Sequence, residues 1–328
     1  MISAPASLPT GRFAPSPTGP LHLGSLVAAL GSWLFARAKG GRWLVRVEDL
    51  DTPRVVPGAA DDTLRTLELF GLTWDGEVVS QSTRLALYEA ALEDLLGKKM
   101  CFACACSRAD LARAASAPMP EEEDREHDSS NARRAAADGA AGGAAPHGTI
   151  YPGTCREGLP TGKARRAHRF RVPSGLFTFE DLLFGPISEN LQVSVGDFVV
   201  KRADGPYAYQ LAVVVDDAAQ GVTEVVRGAD LLDSTARQIA LQRALDLPTP
   251  SYAHLPLVLG PEGKKLGKRD GALPLETLDE ARVRSALSFA LSALGQEPAE
   301  GSAREMLETA RRRFDPSRIP REPRRAPG

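Results

Sequence analysis

Arg12-Phe13-Ala14-Pro15-Ser16-Pro17-Thr18-Gly19-Pro20-Leu21-His22-Leu23-Gly24-Ser25 is the stretch from which the rest of the chain is read. Its middle is a turn-forming run rich in proline and glycine. Before it, Gly11 to Ala14 reads as a short strand. After it, Gly24 to about Ala38 carries Leu26, Leu30, Trp33 and Leu34 on one helical face. A turn that leaves a strand and enters a helix lies at the carboxyl end of a sheet strand, where open α/β folds take their ligands. Gly24 lets the backbone come close to a nucleotide. The first N–H groups of a helix have no partner within it and suit a phosphate. His22 can donate to a phosphate oxygen.

Outward from this turn the pattern repeats. Arg42 to Val47 alternates as a strand does and runs into Glu48, Asp49 and Asp51. Helices are expected from about Gly58 to Leu69, stopping at Gly71, and from about Thr83 to Leu96, stopping at Gly97. Strand, helix, strand, helix is the mark of a parallel α/β sheet. Cys101 to Cys106 then holds three of the four cysteines. Residues 107–149 are rich in alanine, glycine and charge, with the acidic run Glu121 to Asp124, and read as a partly helical insertion ending in a disordered loop. Order returns near Tyr151. Lys163 to Arg171 carries five basic residues and no acid. A second α/β stretch follows. Asp197 to Val200, Tyr209 to Val215 and Val222 to Val226 read as strands, the second so continuously apolar that it is expected to be buried on both faces. Ser234 to Leu245 reads as a helix capped by Asp233 or Ser234, Leu255 to Leu259 as a short strand, and Lys264 to Gly271 as a basic loop. No internal repeat is present.

The 328 residues are enough for roughly two domains. With 43% hydrophobic and 25% charged residues, the composition excludes a wholly disordered chain, a collagen-like fibre and a small disulfide scaffold. Lys plus Arg number 40 and Asp plus Glu 42, so the net charge of −2 announces no nucleic-acid binder, and only local patches can. Four cysteines in so long a chain argue against a disulfide framework. The first ten residues lack the basic and apolar regions of a signal peptide, and no apolar run approaches the roughly 18 residues of a membrane helix. A soluble chain in the reducing cytoplasm, with no membrane partner, is expected.

Two motifs, read together, resemble a known family. His22-Leu23-Gly24-Ser25 is similar to the HIGH signature, and Lys265-Leu266-Gly267-Lys268-Arg269 to the KMSKS signature, of class I aminoacyl-tRNA synthetases. Two positions depart from consensus: Ser25 stands for the second histidine and Gly267 for a serine. The run Arg12 to Gly19, the run Arg46 to Asp51 and the run Ala212 to Asp217 resemble the glutamyl branch more narrowly. Arg227-Gly228-Ala229-Asp230-Leu231 resembles the truncated paralogues of that branch, which attach glutamate to queuosine in the anticodon of tRNA(Asp). Only 57 residues follow Gly271, which agrees with a paralogue without anticodon-binding domains. The resemblance runs from about residue 10 to 271 apart from the insertion.

The resemblance implies an α/β chain with a Rossmann-type parallel-sheet nucleotide-binding domain in two halves, residues 1–100 and 191–290. A zinc-binding connective insertion at 101–190 splits it, and residues 291–328 form a short C-terminal helix and an Arg-rich tail. It implies ATP-dependent activation of L-glutamate without tRNA, then transfer to the cyclopentenediol ring of queuosine in tRNA(Asp), by a monomer. His22 and Lys268 would be catalytic. His22, Gly24, Ser25, Lys265 and Lys268 would meet ATP, with Mg2+ on the triphosphate. Arg12, Phe13, Ala14, Pro15, Ser16, Glu48, Tyr209 and Arg227 would hold glutamate. An arginine fork matches a carboxylate bidentately, so Arg12 and Arg227 suit its two carboxylates, and Glu48 suits its ammonium group. Asp49 and Asp51 can be structural, paired with Arg46 or Arg54. One structural zinc would sit on Cys104, Cys106, Tyr151 and Cys155. Cys101 can instead be the fourth ligand, since Cys101-x-x-Cys104 is also a zinc-like spacing. The segment Lys163 to Arg171 and the Arg-rich tail can meet tRNA phosphates or be solvated surface.

Overall fold

The computed structural model describes residues 8–107, 109–111, 150–260, 262–263 and 275–326. The acidic run at 121–124 and the basic loop with Lys265 and Lys268 lie outside the described residues.

The first half is built as the sequence suggests. Strand β1 (Thr10–Phe13), helix α1 (Leu23–Ala38), strand β2 (Arg42–Val47), helix α2 (Ala59–Leu69), strand β3 (Val79–Ser80) and helix α3 (Leu85–Gly97) follow in order. Gly71 ends α2 in the left-handed region at φ 75°, which glycine adopts without a side-chain clash. The second half contains β6 (Phe177–Asp181), β7 (Gly185–Glu189), α4 (Tyr209–Ala219), β9 (Glu224–Gly228), α5 (Thr235–Ala244), β10 (Ser251–Leu255) and β11 (Val258–Leu259), so β6 and β7 pair with it although they precede the expected boundary at 191. Between the halves, β4 (Cys101–Cys104), β5 (Ala167–Phe170) and β8 (Phe198–Lys201) form a separate antiparallel sheet. Helices α6 (Glu280–Ala293) and α7 (Ala303–Arg313) and strand β12 (Arg324–Arg325) close the chain.

Strands β1, β2 and β3 pair in parallel, as do β6, β10 and β9, with β7 antiparallel on the edge of β6. The two sheets meet where Thr223 N donates to Thr10 O at 2.9 Å, placing β9 beside β1. The chain leaves β1 for β2 on one side and reaches β9 on the other. A crevice therefore opens at the carboxyl ends of β1 and β9, the reversal point at which open α/β sheets bind ligands. Two apolar layers cover the sheet. Trp43 and Val45 of β2 pack with Trp33 and Leu34 of α1 and Leu287 and Leu291 of α6. Leu44, facing the other way, packs with Tyr88 and Leu92 of α3, Leu211 of α4 and Ile239 of α5. This one-residue alternation across β2 is what a pleated strand buried on both faces requires.

Two expectations are corrected. Tyr209 to Val215 forms the start of helix α4 rather than a strand. Leu211 to Val215 are buried, and so are Asp216 and Asp217, so the helix is enclosed on all sides and no polar face interrupts the apolar run. Leu255 to Leu259 is two strands, β10 and β11, broken at Pro256 and Leu257. Ser234 does occupy the cap position of α5, but its side chain makes no capping hydrogen bond there.

The enclosed Asp216 and Asp217 explain why α4 lies where it does. Asp217 Oδ1 is 2.8 Å from Nη2 of Arg46 on β2 and 3.3 Å from Nε of Arg12 on β1. Asp216 accepts from Gln81 Nε2 at 2.9 Å, Tyr88 Oη at 2.7 Å and Arg84 Nε at 2.5 Å. Arg46 has no exposed side-chain surface and also donates to Gln220 Oε1 at 2.7 Å. Burial alone would lower its pKa, but Asp217, Glu48 and Asp216 overturn that and push it up. Removing one member of a buried pair strands the others. Arg46→Met is expected to cost about 3–5 kcal/mol in urea unfolding. A loss under about 1 kcal/mol would show that the carboxylates find water or one another without it.

Candidate active site and metal cluster

A cavity of about 550 Å³ fills the crevice, lined by the loop after β1, the start of α1, Gly228 to Leu231 and Pro256 to Val258. A smaller cavity of about 130 Å³ adjoins it, lined by Arg12, Phe13, Glu48, Tyr209 and Arg227 among others. Phe13, Ala14, Glu48, Tyr209, Gly228 and Leu231 line both. The crevice thus has a wide outer chamber and a narrow charged inner one.

The loop after β1 is held by its backbone. Pro15 O accepts from Glu48 N at 3.0 Å, and Pro17 O accepts from Val56 N at 2.9 Å. Ala14, Pro15 and Ser16 line the outer chamber, and Ser16 is exposed. His22 is the N-cap of α1, and its Nδ1 accepts from Ser25 N at 3.3 Å. In the neutral ring the proton therefore sits on Nε2, which makes that nitrogen a donor. A Cβ on Gly24 would come within 3.0 Å of the His22 ring, so glycine keeps the imidazole in place. His22, Gly24 and Ser25 all line the outer chamber.

The inner chamber sets two arginines and one carboxylate around a small volume. Arg12 spends Nε on Asp217 and one Nη1 hydrogen on Val226 O, the latter at 3.5 Å. Its remaining N–H groups leave a fork for a ligand carboxylate. Arg227 is tied more tightly. It donates from Nε to His254 Nε2 at 3.1 Å, from Nη1 to Gln238 Oε1 at 2.8 Å, and from Nη2 to Leu231 O at 3.2 Å and Thr235 Oγ1 at 2.8 Å. Four of its five N–H groups are engaged, so it offers a ligand one hydrogen rather than a two-pronged grip. Glu48 lies 3.5 Å from Arg46, with its side chain 8% exposed. Burial drives its pKa up to about 7, against the pull of Arg46 and Arg12. Burial also raises the Tyr209 hydroxyl above its ordinary value. Of the two further acids, Asp51 pairs with Arg54 as expected, whereas Asp49 accepts from the backbone and hydroxyl of Ser82.

The second constellation is at the far end of β4. The thiols of Cys104, Cys106 and Cys155 have Sγ atoms within 4.8 Å of one another. Cys106 and Cys155 Sγ are 3.7 Å apart, and the Tyr151 hydroxyl is 3.6 Å from Cys104 and 4.0 Å from Cys106. A tetrahedral ion with ligand bonds of about 2.3 Å has edges of about 3.8 Å, so this donor set fits one metal ion. Cys101 is three residues before Cys104 on the same strand and points to the opposite face. It is packed in the core with Tyr88 and Leu92, where burial pushes its thiol up to about 12. The alternative with Cys101 as fourth ligand is therefore overturned. Burial works against the Cys104 thiolate, but hydrogen bonds from Arg169 Nε at 3.4 Å, the Cys106 backbone and the Tyr151 hydroxyl, with the Arg169 charge, together outweigh it and hold the thiol below its usual range. The Arg169 guanidinium also lies 4.0 Å from the centre of the Tyr151 ring.

Arg169 is thereby removed from the expected phosphate-binding segment, and Arg171 is engaged with Glu157 and Arg156 O. Lys163, Arg165 and Arg166 stay exposed. Among the described residues no helix is long and apolar enough to cross a membrane. Asp230 and Leu231 stand in the sequence only as part of a family-like motif with no lining role assigned, and nothing marks Pro256 or Leu257, because a wall made by backbone turns carries no chemical signature of its own. Sequence reading also missed Gln238 and Thr235, whose signal is visible only once α5 is folded over β9.

Comparison with known proteins agrees with this geometry. Residues 10–150 and 154–312 match the family described as tRNA synthetases class I (E and Q), catalytic domain. Glutamyl-Q tRNA(Asp) synthetase of Geobacter sulfurreducens is 54% identical, covering 97% of this chain and 96% of that protein. The protein of the same name from Dechloromonas aromatica is 52% identical, covering 90% of this chain and 88% of that protein. Among solved structures, a glutamate tRNA ligase from Elizabethkingia meningosepticum in complex with its amino acid superimposes with a TM-score of 0.74 at 27% identity. It covers 97% of this chain and 67% of its own. The chain belongs to the class I tRNA synthetases, and within them to the glutamyl-Q tRNA(Asp) synthetase family.

The metal cluster is directly testable. Wild-type protein dialysed against zinc is expected to retain metal in a one-to-one ratio, Cys155→Ser to lose it, and Cys101→Ser to keep it. Elemental analysis reads this out, and retention by Cys155→Ser or loss by Cys101→Ser would contradict the assigned ligands.

Proposed function

We propose that the chain joins L-glutamate to the queuosine of tRNA(Asp) in two steps, both in the crevice at the ends of β1 and β9. In the first step a glutamate carboxylate oxygen attacks the α-phosphorus of ATP, and pyrophosphate leaves. In the second a hydroxyl of the queuosine cyclopentenediol ring attacks the carbonyl carbon of glutamyl-adenylate, loses its proton, and AMP leaves. The observation that carries this reading is the match, over 97% and 90% of this chain, to relatives named for that activity.

The inner chamber suits glutamate by charge. The Arg12 fork takes one carboxylate bidentately, the single remaining Arg227 hydrogen supports a carboxylate oxygen, and Glu48 faces the ammonium group. Tyr209 closes the chamber from the start of α4, and Phe13 forms its apolar wall. The outer chamber suits ATP, with the triphosphate at the α1 N-terminus, where Gly24 lets the backbone come close, Ser25 offers its hydroxyl and His22 Nε2 donates. Lys265 and Lys268 would come to the same phosphates from the loop after β11. No side chain is needed as a covalent nucleophile. Positioning and charge stabilisation carry the reaction, and Mg2+ brought in with ATP supplies charge to the leaving pyrophosphate. The cluster of Cys104, Cys106, Tyr151 and Cys155 offers four protein donors with no open position, which suits a structural zinc. The reaction belongs in the cytoplasm, and one chain carries both chambers.

Two measurements test this. Labelled glutamate and ATP are incubated with tRNA(Asp) bearing queuosine, with unmodified tRNA(Asp), and with tRNA(Glu). Label is expected on the queuosine pool alone, and label on tRNA(Glu) would make the chain an ordinary glutamyl-tRNA synthetase. The second follows from Glu48. Below pH of about 7 its carboxyl is protonated in the empty site and cannot pair with an ammonium group. Glutamate KM at pH 6 is therefore expected to be about tenfold higher than at pH 8. Glu48→Gln is expected to raise KM and flatten this profile. A wild-type KM that does not change over that range would remove Glu48 from the ammonium site.

A further inference from the structure

His254 is a buried titratable side chain that the two-chamber mechanism does not use. It sits on β10 with no exposed surface. The parallel register sets it directly opposite Arg227 on β9, and its neighbour Tyr252 opposite Asp181 on β6. Three adjacent strands thus present Asp181, His254 and Arg227 in a row at their carboxyl ends. His254 Nδ1 is 2.6 Å from Asp181 Oδ2. The other oxygen of Asp181 accepts from Leu183 N at 3.0 Å and Phe184 N at 2.9 Å, within the β6–β7 turn. The carboxylate is therefore fixed before it meets the ring. An acceptor-only carboxylate requires the imidazole proton on Nδ1, which leaves Nε2 as an acceptor. Arg227 Nε donates to that nitrogen at 3.1 Å.

We propose that His254, oriented by Asp181, is a positioning residue that sets the Arg227 guanidinium so that its one remaining N–H points into the inner chamber. The inference rests on the reading of Arg227 as a glutamate-binding residue. The physical case is that of a tautomer fixed by a second partner, a device that orients ligand-binding imidazoles generally. Burial pushes the His254 ring below the ordinary imidazole range, so it stays a neutral acceptor at working pH despite the Asp181 carboxylate. Thr235 Oγ1 lies 3.2 Å from the same Nε2 and accepts from Arg227 Nη2, so the guanidinium is braced in its own plane. Without His254, Arg227 keeps its charge and loses its aim.

The test uses the full chain and glutamate-dependent ATP–pyrophosphate exchange. His254→Leu removes the ring's contacts with Asp181, Arg227 and Thr235 at similar volume, and His254→Gln keeps an acceptor near the Nε2 position. His254→Leu is expected to raise glutamate KM about tenfold, the scale of one hydrogen bond to a charged group, with ATP KM unchanged. His254→Gln is expected to recover most of that loss, and it carries the test should the leucine variant not fold. Arg227→Gln is expected to raise glutamate KM by itself, and adding His254→Leu to it is expected to change little, because both act through one guanidinium. Equal rises in glutamate and ATP KM, no rescue by glutamine, or full additivity in the double variant would overturn the inference while leaving the pocket intact. An unchanged glutamate KM in Arg227→Gln would instead overturn the reading of the pocket, and the inference with it.

Discussion

A guanidinium with no surface in water needs carboxylates around it, and Arg46 takes Glu48 from two residues further along the chain and Asp216 and Asp217 from a segment about 170 residues away. Its Nη2 lies 2.8 Å from Asp217 and 3.5 Å from Glu48, and its Nε 3.8 Å from Asp216. Because Asp217 is shared with Arg12, and Asp216 with Arg84, the network fixes β1, β2, α3 and α4 to one another. Moving ions out of water is expensive, and well-packed apolar groups would stabilise a core as well or better. The charged version does something an apolar core cannot. It leaves Arg12 and Glu48 at the edge of the network, each already oriented, where the crevice begins.

That arrangement also divides the labour inside the inner chamber. Arg12 keeps a fork to offer because its fixed partners take only Nε and one other hydrogen. Arg227 has almost none left, since Gln238, Thr235, Leu231 and His254 surround it. Two arginines that look equivalent in a sequence are therefore unequal in what the fold leaves them, three hydrogens for Arg12 and one for Arg227. Glu48 is the opposite case, a carboxylate kept near neutrality by burial until a cation arrives. A small zwitterion with an extra carboxylate matches this set of partial vacancies in charge.

Much of the site was legible because short motifs place chemistry on strand ends. His22 and Gly24 needed only the local pattern of strand, turn and helix to be located at the crevice. Arg12, Glu48, Tyr209 and Arg227 came from resemblance, and the fold brings all four to the inner chamber. The segment Tyr209 to Val215 reads as a strand in sequence because periodicity separates helix from strand only when one face is solvated, and Leu211 to Asp217 of α4 are all buried. Asp217 was visible as a motif residue, but its role depends on α4 being a helix that turns it toward Arg46. His254 and Asp181 gave no signal, since a lone histidine and a strand-end acid acquire meaning only from the register of three strands. Cys101 was kept as a candidate ligand by spacing alone, whereas strand geometry sends it to the opposite face from Cys104.

The central claim is that these two chambers alone select and activate glutamate. The most direct measurement is ATP–pyrophosphate exchange with no tRNA present, run separately with glutamate, glutamine and aspartate. Exchange with glutamate only is the predicted result: glutamine lacks the second carboxylate, and aspartate sets its two carboxylates one methylene closer together. Exchange that requires tRNA, or that proceeds equally with glutamine, would contradict an inner chamber built by Arg46 and its partners around two carboxylates and an ammonium group.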